Sequence, residues 1–149
     1  MRLACYQPEI AGNMGALLRL AACYEVAVDV IEPCGFVFSD SKMRRAGMDY
    51  AHRVPLVRHV DWHHFHAAAP ARLVLLTTKA DQRLHDFSFK ATDTLLLGSE
   101  SSGVPFEVAA VCDATVRIAI SREVRSLNLA VAAAIALTEA LRQTEGLPA

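Results

Sequence analysis

Residues 93–105, with the sequence Asp-Thr-Leu-Leu-Leu-Gly-Ser-Glu-Ser-Ser-Gly-Val-Pro, predict the kind of fold that the chain adopts. The apolar run at 95–97 is flanked by polar residues and predicts a short buried strand. The strand ends at Gly98, a polar loop follows, and Pro105 stands where a helix would begin. A strand, a glycine-containing loop and a helix start are typical of a ligand-binding edge in an open α/β sheet. An ordinary strand-to-helix turn has the same pattern.

Two familiar glycine loops are excluded by their own sequence requirements. A phosphate-binding P-loop ends in Gly-Lys-Ser/Thr, whereas Gly103 is followed by Val104 and Pro105. A dinucleotide loop has the spacing Gly-x-Gly-x-x-Gly, and Glu100 stands in place of its second glycine, where a carboxylate would repel a pyrophosphate. The loop therefore favours a ligand with hydroxyls or amines and without dense negative charge.

Length and composition indicate a single globular domain. The chain has 149 residues, of which 53% are hydrophobic, and these are enough for a substantial core. Its net charge of −1 argues against bulk coating of nucleic acid. No apolar run reaches the length of a membrane span, no secretory signal is visible, and the four cysteines form no C-x-x-C pair. We expect one cytoplasmic domain, residues 1–149, with no membrane association.

The periodicity of the sequence predicts strands that alternate with helices. Strands are predicted at residues 2–7, 26–31, 54–57, 72–78, 95–97 and 115–120. Helices are predicted at 13–23 with Asn13 as N-cap, at 41–46, at 105–111, and at 127–143 with Ser126 as N-cap. This order predicts a mostly parallel α/β sheet with helices on both faces.

The last predicted helix is apolar almost all round, with Val131, Ile135 and Leu141 standing among its alanines. A helix without a polar face is buried on several sides. In a domain of this size, we expect a partner subunit to cover part of it.

A basic region precedes the middle of the chain. Residues 42–66 contain five Lys or Arg against two Asp, whereas the rest of the chain has ten basic and fourteen acidic residues. Basic side chains mixed with aromatic ones suit a phosphate backbone with exposed bases, although a solvated face has the same composition. The candidate RNA-binding residues are Lys42, Arg44, Arg45, His52 and Arg53.

Four histidines, at positions 59, 63, 64 and 66, form a second cluster. His59 and His63 would share a face if the segment were one helix, and a metal site is then conceivable. No other ligand stands at motif spacing, so we expect no metal.

Three ordered stretches resemble the motifs of the SPOUT class of RNA methyltransferases. They are NMG at 13–15 followed by Arg19, LLGSESSGVP at 96–105, and RIAI at 117–120 with SLNLAVAAAI at 126–135. The chain is more closely similar to the small tRNA (cytidine/uridine-34) 2′-O-methyltransferases. That similarity is carried by IEP at 31–33, GF at 35–36, RRAGMDY at 44–50 and LTTK at 76–79, and it covers the chain nearly end to end.

The resemblance implies a C-terminal trefoil knot, a homodimer, S-adenosyl-L-methionine as methyl donor and the tRNA anticodon stem-loop as partner. We expect no appended RNA-binding domain, so the dimer and the basic region would supply the whole tRNA surface. It implies a cofactor pocket formed by Leu76, Thr77, Gly98, Glu100, Gly103, Ile118, Ile120, Ser126 and Leu127. Catalytic roles are implied for Arg19, Asn13, Ser126 and Asn128, with Asn13 holding its loop and orienting Arg19.

The resemblance leaves several roles open. Arg19 is either a surface arginine or a fixed charge at the reacting oxygen, and Glu100 is either the partner of Arg19 or a cap for the helix at 105. Two alternatives to a position-34 enzyme also remain, namely a methyltransferase for another tRNA or rRNA position and a non-catalytic RNA-binding dimer.

Overall fold

The computed structural model describes residues 1–38, 48–68 and 71–149, and six strands in these ranges form one sheet. The strands are β1 Arg2–Tyr6, β2 Ala27–Ile31, β3 Leu56–His59, β4 Leu73–Leu76, β5 Thr94–Leu97 and β6 Ala114–Val116. Their order is β3-β2-β1-β5-β4-β6, and every pairing between them is parallel. The predicted parallel α/β sheet is therefore confirmed, and the trefoil knot stays a prediction.

The helices lie on both faces of the sheet. They are α1 Ala11–Cys23, α2 Trp62–Ala68, α3 Phe106–Ala110 and α4 Leu129–Gln143, with 3₁₀ helices at Met48–Arg53 and Leu84–Asp86. Because side chains alternate along a strand, Leu95 and Leu97 join the core beneath α1 and α4, whereas Leu96 joins Phe65 of α2 and Val108 of α3 on the other face. The predicted helix 41–46 lies outside the described residues.

The strand order brings the loops after β1 and β5 together. β2 and β3 extend the sheet on one side of β1, whereas β5, β4 and β6 extend it on the other. Open α/β sheets bind ligands at such a switch point, beyond the carboxyl ends of the strands.

Both predicted helix caps were wrong. α1 begins at Ala11, and Ile10 is its N-cap without any side-chain hydrogen bond, so that Asn13 lies inside the first turn. α4 begins at Leu129, and its cap is Asn128, whose Oδ1 accepts from the amides of Ala130 and Val131 at 2.9 and 3.3 Å. Asn128, and not Ser126, caps the helix because its side chain reaches the amides two and three residues ahead.

The last strand is also shorter than predicted. β6 ends at Val116, and Arg117 lies beyond it, where its amide donates to the carbonyl of Gln82 and its carbonyl accepts from the amide of Leu84. These bonds attach the chain to the segment after β4 and end the pairing with the sheet.

The long helix α4 is buried on one side only within the described structure. Ala133, Ala136 and Leu137 are fully buried, whereas Val131 and Ile135 are 48% and 39% exposed. Residues four apart lie on one helix face, so these two side chains form an apolar stripe directed at solvent. A partner subunit over this stripe stays a prediction. Across the described ranges, no helix has the length and apolar character that crossing a bilayer requires.

Candidate functional site

A cavity of about 1060 Å³ opens at the C-terminal ends of β4 and β5. Its walls come from the segments after these two strands and from the chain leading into α4. All nine residues of the expected cofactor pocket line it: Leu76, Thr77, Gly98, Glu100, Gly103, Ile118, Ile120, Ser126 and Leu127. Asn13 and Asn128 line it as well, whereas Arg19 does not. The fold thus gathers three distant segments at one site.

The loop after β5 is a tight turn closed by its own backbone. The amide of Ser99 donates to the carbonyl of Gly103 and the amide of Gly103 to the carbonyl of Ser99, both at 2.9 Å. Gly103 has a φ of +68°, which side chains disfavour, and a Cβ at Gly98 would lie 2.6 Å from the Gly103 backbone. The two glycines are therefore required by the shape of the loop and bring bare backbone to the cavity.

Glu100 binds the start of α1 across the switch point. Its Oε2 accepts from the amide of Glu9 at 2.8 Å, and its Oε1 accepts from the amide of Ile10 and the Nδ2 of Asn13, both at 3.1 Å. Both predicted roles, partner of Arg19 and cap of the helix at 105, were wrong. The carboxylate instead lies at the N-terminus of α1, which lacks a cap of its own and where negative charge is favourable.

Asn13 connects this carboxylate to α4. Its Oδ1 accepts from the Nδ2 of Asn128 at 2.9 Å, while its own Nδ2 donates to Glu100. Asn13 lies inside α1, so these contacts join α1 to Glu100 and Asn128, and they do not involve Arg19. Ser126 lies on the cavity wall with an exposed side chain.

Arg19 lies on the exposed side of α1, where its guanidinium carbon is 5.4 Å from the ring centroid of Tyr50. The ring face is electron-rich and attracts the cation. Arg19 is thus held by the 3₁₀ helix Met48–Arg53 and lies beside the predicted RNA-binding segment. The catalytic role of Arg19 stays a prediction.

Two of the predicted RNA-binding residues lie within the described structure. His52 and Arg53 are exposed at the end of the 3₁₀ helix that carries Tyr50. Lys42, Arg44 and Arg45 lie outside the described residues.

The histidine cluster forms no single helix, because His59 belongs to β3 and the other three histidines belong to α2. His59 is buried; its Nε2 is 2.8 Å from Oδ1 of Asp29, and its Nδ1 is 3.2 Å from Nδ1 of His64. Arg2 donates to the second oxygen of Asp29. Within the described ranges, no three His, Cys, Asp or Glu side chains are grouped to hold a metal ion.

Sequence reasoning missed several residues of the cavity wall, and three of them stand out by charge or exposure. Lys79 and Arg125 bring positive charge, and Phe106, the first residue of α3, is 86% exposed. Lys79 follows the end of a predicted strand and Phe106 follows the polar loop, so their positions in the sequence could have indicated them.

Glu9 was missed as well, although it lies outside the cavity wall. Its carboxylate accepts from the hydroxyl and the amide of Ser101 at 2.6 and 2.8 Å. These two hydrogen bonds hold the pKa of Glu9 below its usual value.

The described residues form an α/β protein, with a parallel sheet and a cavity beyond the C-terminal ends of β4 and β5. The model of the SpoU rRNA methylase family matches residues 1–138, and the chain belongs to this family. It is 53% identical over 148 residues to the tRNA (cytidine(34)-2′-O)-methyltransferase of Beijerinckia indica subsp. indica, a match that covers 97% of this chain and 92% of the relative. The predicted resemblance is confirmed.

Two solved structures support the same assignment. A structure concerned with the 2-OH methylation of C/U34 on tRNA has a TM-score of 0.90 and 41% identity, covering 95% of this chain and 94% of that one. The SpoU methyltransferase AviRb from Streptomyces viridochromogenes, in complex with AdoMet, has a TM-score of 0.81 and 27% identity. That match covers 96% of this chain and 60% of AviRb.

Proposed function

We propose that this chain is a tRNA 2′-O-methyltransferase. It transfers a methyl group from S-adenosyl-L-methionine to the ribose 2′-hydroxyl of nucleotide 34, a cytidine or a uridine. The observation that carries the proposal is the 53% identity, over 97% of the chain, to a tRNA (cytidine(34)-2′-O)-methyltransferase. The cavity at the switch point supports it independently, because it offers the chemistry that such a cofactor requires.

The cavity fits the proposed cofactor in size and in chemistry. Its volume of about 1060 Å³ lies at the upper limit of small-molecule sites, which is roughly 1,000 Å³. The apolar side chains of Leu76, Ile118 and Leu127 suit an adenine ring, and the bare backbone at Gly98 and Gly103 suits ribose hydroxyls. Lys79 and Arg125 on the same wall suit the carboxylate of the methionine part.

Bound S-adenosyl-L-methionine supplies a methyl group already activated by the positive charge of the sulfonium. The protein must then align the 2′-oxygen with that methyl and stabilise the negative charge that develops as the hydroxyl loses its proton. We assign the stabilisation of this negative charge to Arg19. An arginine side chain stays protonated in proteins and is a poor proton acceptor, so Arg19 acts by its charge and by binding phosphate. Asn13, Ser126 and Asn128 shape the pocket in which the ribose lies.

The proposal includes a homodimer that binds the tRNA anticodon stem-loop. The exposed stripe of Val131 and Ile135 on α4 supports an apolar interface. A monomer would leave both side chains in water at a cost of roughly 25 cal/mol per Å² of apolar surface. Exposed His52 and Arg53, next to the Arg19–Tyr50 pair, support an RNA contact on the adjoining surface.

The deciding experiment is a calorimetric titration with S-adenosyl-L-methionine and S-adenosylhomocysteine, followed by methylation of unmodified tRNA and mapping of the product by nuclease digestion and mass spectrometry. Binding at one site per subunit and a 2′-O-methyl group at nucleotide 34 would support the proposal. Absence of binding at millimolar ligand would leave the RNA-binding dimer in its place. A methyl group at another nucleotide would show that the enzyme modifies that nucleotide and not nucleotide 34.

A further inference from the structure

The loop after β1 and the loop after β5 are joined by two carboxylates, one from each loop. Glu9 accepts two hydrogen bonds from Ser101, and Glu100 accepts three from the amides of Glu9 and Ile10 and from Asn13. All five bonds join parts of the chain about 90 residues apart. Each loop therefore contributes one glutamate whose carboxylate accepts hydrogen bonds from the other loop.

We propose that Glu9 is a positioning residue that fixes the 98–103 loop, and with it the cofactor cavity, through Ser101. The role rests on the proposed function. Glu9 does not line the cavity, whereas Ile10, Asn13, Glu100 and Ser101 all do. Glu9 can therefore act on a bound cofactor only through the wall that it holds.

The backbone of Glu9 is itself held firmly. The amide of Gly35 donates to the carbonyl of Pro8 at 2.9 Å, and a Cβ at Gly35 would lie 2.7 Å from the carbonyl oxygen of Glu9. The turn after β2 thus packs directly against Glu9 on one side, while Glu100 binds its amide on the other. A residue fixed in this way can position a neighbouring loop with its side chain.

The hydrogen bonds within the 98–103 loop fix its shape. Its position relative to α1 depends on hydrogen bonds to residues outside the loop. The Ser99–Gly103 backbone pair and the hydrogen bond between the hydroxyls of Ser99 and Ser102, at 2.9 Å, are internal to the loop. Ser101, at the exposed tip, has its amide and its hydroxyl bound by Glu9. Without Glu9, Glu100 would make the remaining side-chain hydrogen bonds between this loop and the start of α1 in the part of the chain that the structure describes.

The overall fold does not depend on this tie. The side chains of Glu9 and Ser101 are exposed, and neither belongs to the two apolar cores of the sheet. Replacement of either residue should therefore leave the folded structure intact and change only the local order of the loop.

The test measures the affinity for S-adenosylhomocysteine by calorimetry in Glu9→Ala, Ser101→Ala, Ser101→Thr and the double alanine variant. Glu9→Ala removes both hydrogen bonds to Ser101 and should raise the Kd about tenfold, because the loop must then be ordered when the ligand binds. Ser101→Thr keeps both donors and should bind as the native chain does. The matched control is Glu107→Ala, which removes an exposed glutamate that makes no side-chain hydrogen bond in the described structure and lies outside the cavity wall.

Two readouts separate positioning from a general structural effect. In the double variant, Glu9→Ala should cost less affinity than it does in the native background, because its target hydroxyl is already gone. Amide hydrogen exchange should accelerate at Ser101 while the global unfolding free energy stays the same.

Equal losses in both backgrounds, or native affinity in Glu9→Ala, would overturn the positioning role while leaving the proposed function intact. A native chain that binds neither the cofactor nor its product would overturn both. The first result concerns Glu9 alone, so the two failures are distinguishable.

Discussion

The side-chain amide of Asn128 donates to Oδ1 of Asn13 at 2.9 Å and so joins the start of α4 to the first turn of α1. The same Asn128 side chain uses its oxygen to cap α4. One residue therefore has two separable roles, of which the cap needs only an oxygen acceptor and the link needs the amide donor.

Asn128→Asp and Asn128→Ala should separate these roles. Alanine removes the cap and should lower the free energy of unfolding by about 1 kcal/mol, whereas aspartate keeps an acceptor and should retain most of that stability. Both variants lose the donor to Asn13, so both should bind S-adenosylhomocysteine more weakly than the native chain. Urea unfolding and calorimetry measure the two effects. An aspartate variant as unstable as the alanine variant would contradict the assigned cap.

Arg19→Ala should lower the rate of methyl transfer by about a hundredfold or more, the scale found when one charge-stabilising donor is removed. Because Arg19 lies outside the cavity wall, the Kd for S-adenosylhomocysteine should not change. Single-turnover kinetics with tRNA and calorimetry of the same preparation measure both quantities. Turnover equal to that of the native chain would remove Arg19 from the mechanism.

Two variants of Tyr50 test whether its ring holds the guanidinium of Arg19 in position. Tyr50→Phe keeps the ring beneath the guanidinium of Arg19, whereas Tyr50→Ala removes it. We expect Tyr50→Phe to retain the native rate and Tyr50→Ala to lose about tenfold, since an exposed or partly desolvated cation–π contact contributes roughly 0.5–2 kcal/mol. Equal rates in both variants would mean that the ring does not hold Arg19.

The sequence was sufficient to predict the parallel sheet and the segments that form the cavity. Apolar runs such as 95–97 mark buried strands, and the edge at which their loops meet follows from the parallel order. The predicted pocket residues therefore lie together even though they span 52 positions, from Leu76 to Leu127. The family resemblance supplied their identity.

The bonds of Glu100 could not be predicted from its neighbours. Its three donors lie 87 to 91 positions away, at a helix start whose own residues provide no cap. A local reading assigns a carboxylate near a helix to that helix, and it assigns an asparagine near a helix start to the cap. The assignment failed at Glu100 because strand order, which is a long-range property, decides which loops meet. It failed at Asn13 because α1 begins two residues earlier, at Ala11.

Gly98→Ala should abolish cofactor binding and also lower the free energy of unfolding. A Cβ at this position would lie 2.6 Å from both Cα and C of Gly103, a backbone contact that the tight turn cannot relieve without opening. Gly103→Ala is the milder companion, since its Cβ meets nothing within 4 Å and only the φ of +68° is unfavourable. Calorimetry with S-adenosylhomocysteine should rank native, Gly103→Ala and Gly98→Ala in order of decreasing affinity.

Asp93→Asn should destabilise the fold without any change at the cavity. Asp93 is fully buried and accepts from Nε and Nη2 of Arg72 at 2.9 and 2.7 Å and from the amide of Lys90 at 2.9 Å. Removal of one partner of such a pair costs about 3 kcal/mol or more when both are buried, and about 2 kcal/mol is expected here because Arg72 is partly exposed. Urea unfolding measures the loss.

The matched control is Asp86→Asn, which breaks the ion pair with Arg83 at the surface. Both side chains of that pair are 55% exposed, and exposed pairs contribute about 0–1 kcal/mol. A loss in Asp86→Asn as large as that in Asp93→Asn would show that burial does not decide the effect.

Glu139 should titrate far below an ordinary glutamate. Side-chain hydrogen bonds from Arg142 and Gln143 lower its pKa from 4.5 to about 2. Because the folded-state pKa is depressed, the stabilisation is present above the unfolded pKa and is lost as the pH falls through about 2. Arg142 is largely exposed, so solvent screens the pair and the stabilisation should be small. Carboxyl-carbon NMR should place the midpoint near 2 in the native chain and nearer the ordinary value in Arg142→Met. A native midpoint at the ordinary glutamate value would show that the hydrogen bonds to Arg142 do not persist in solution.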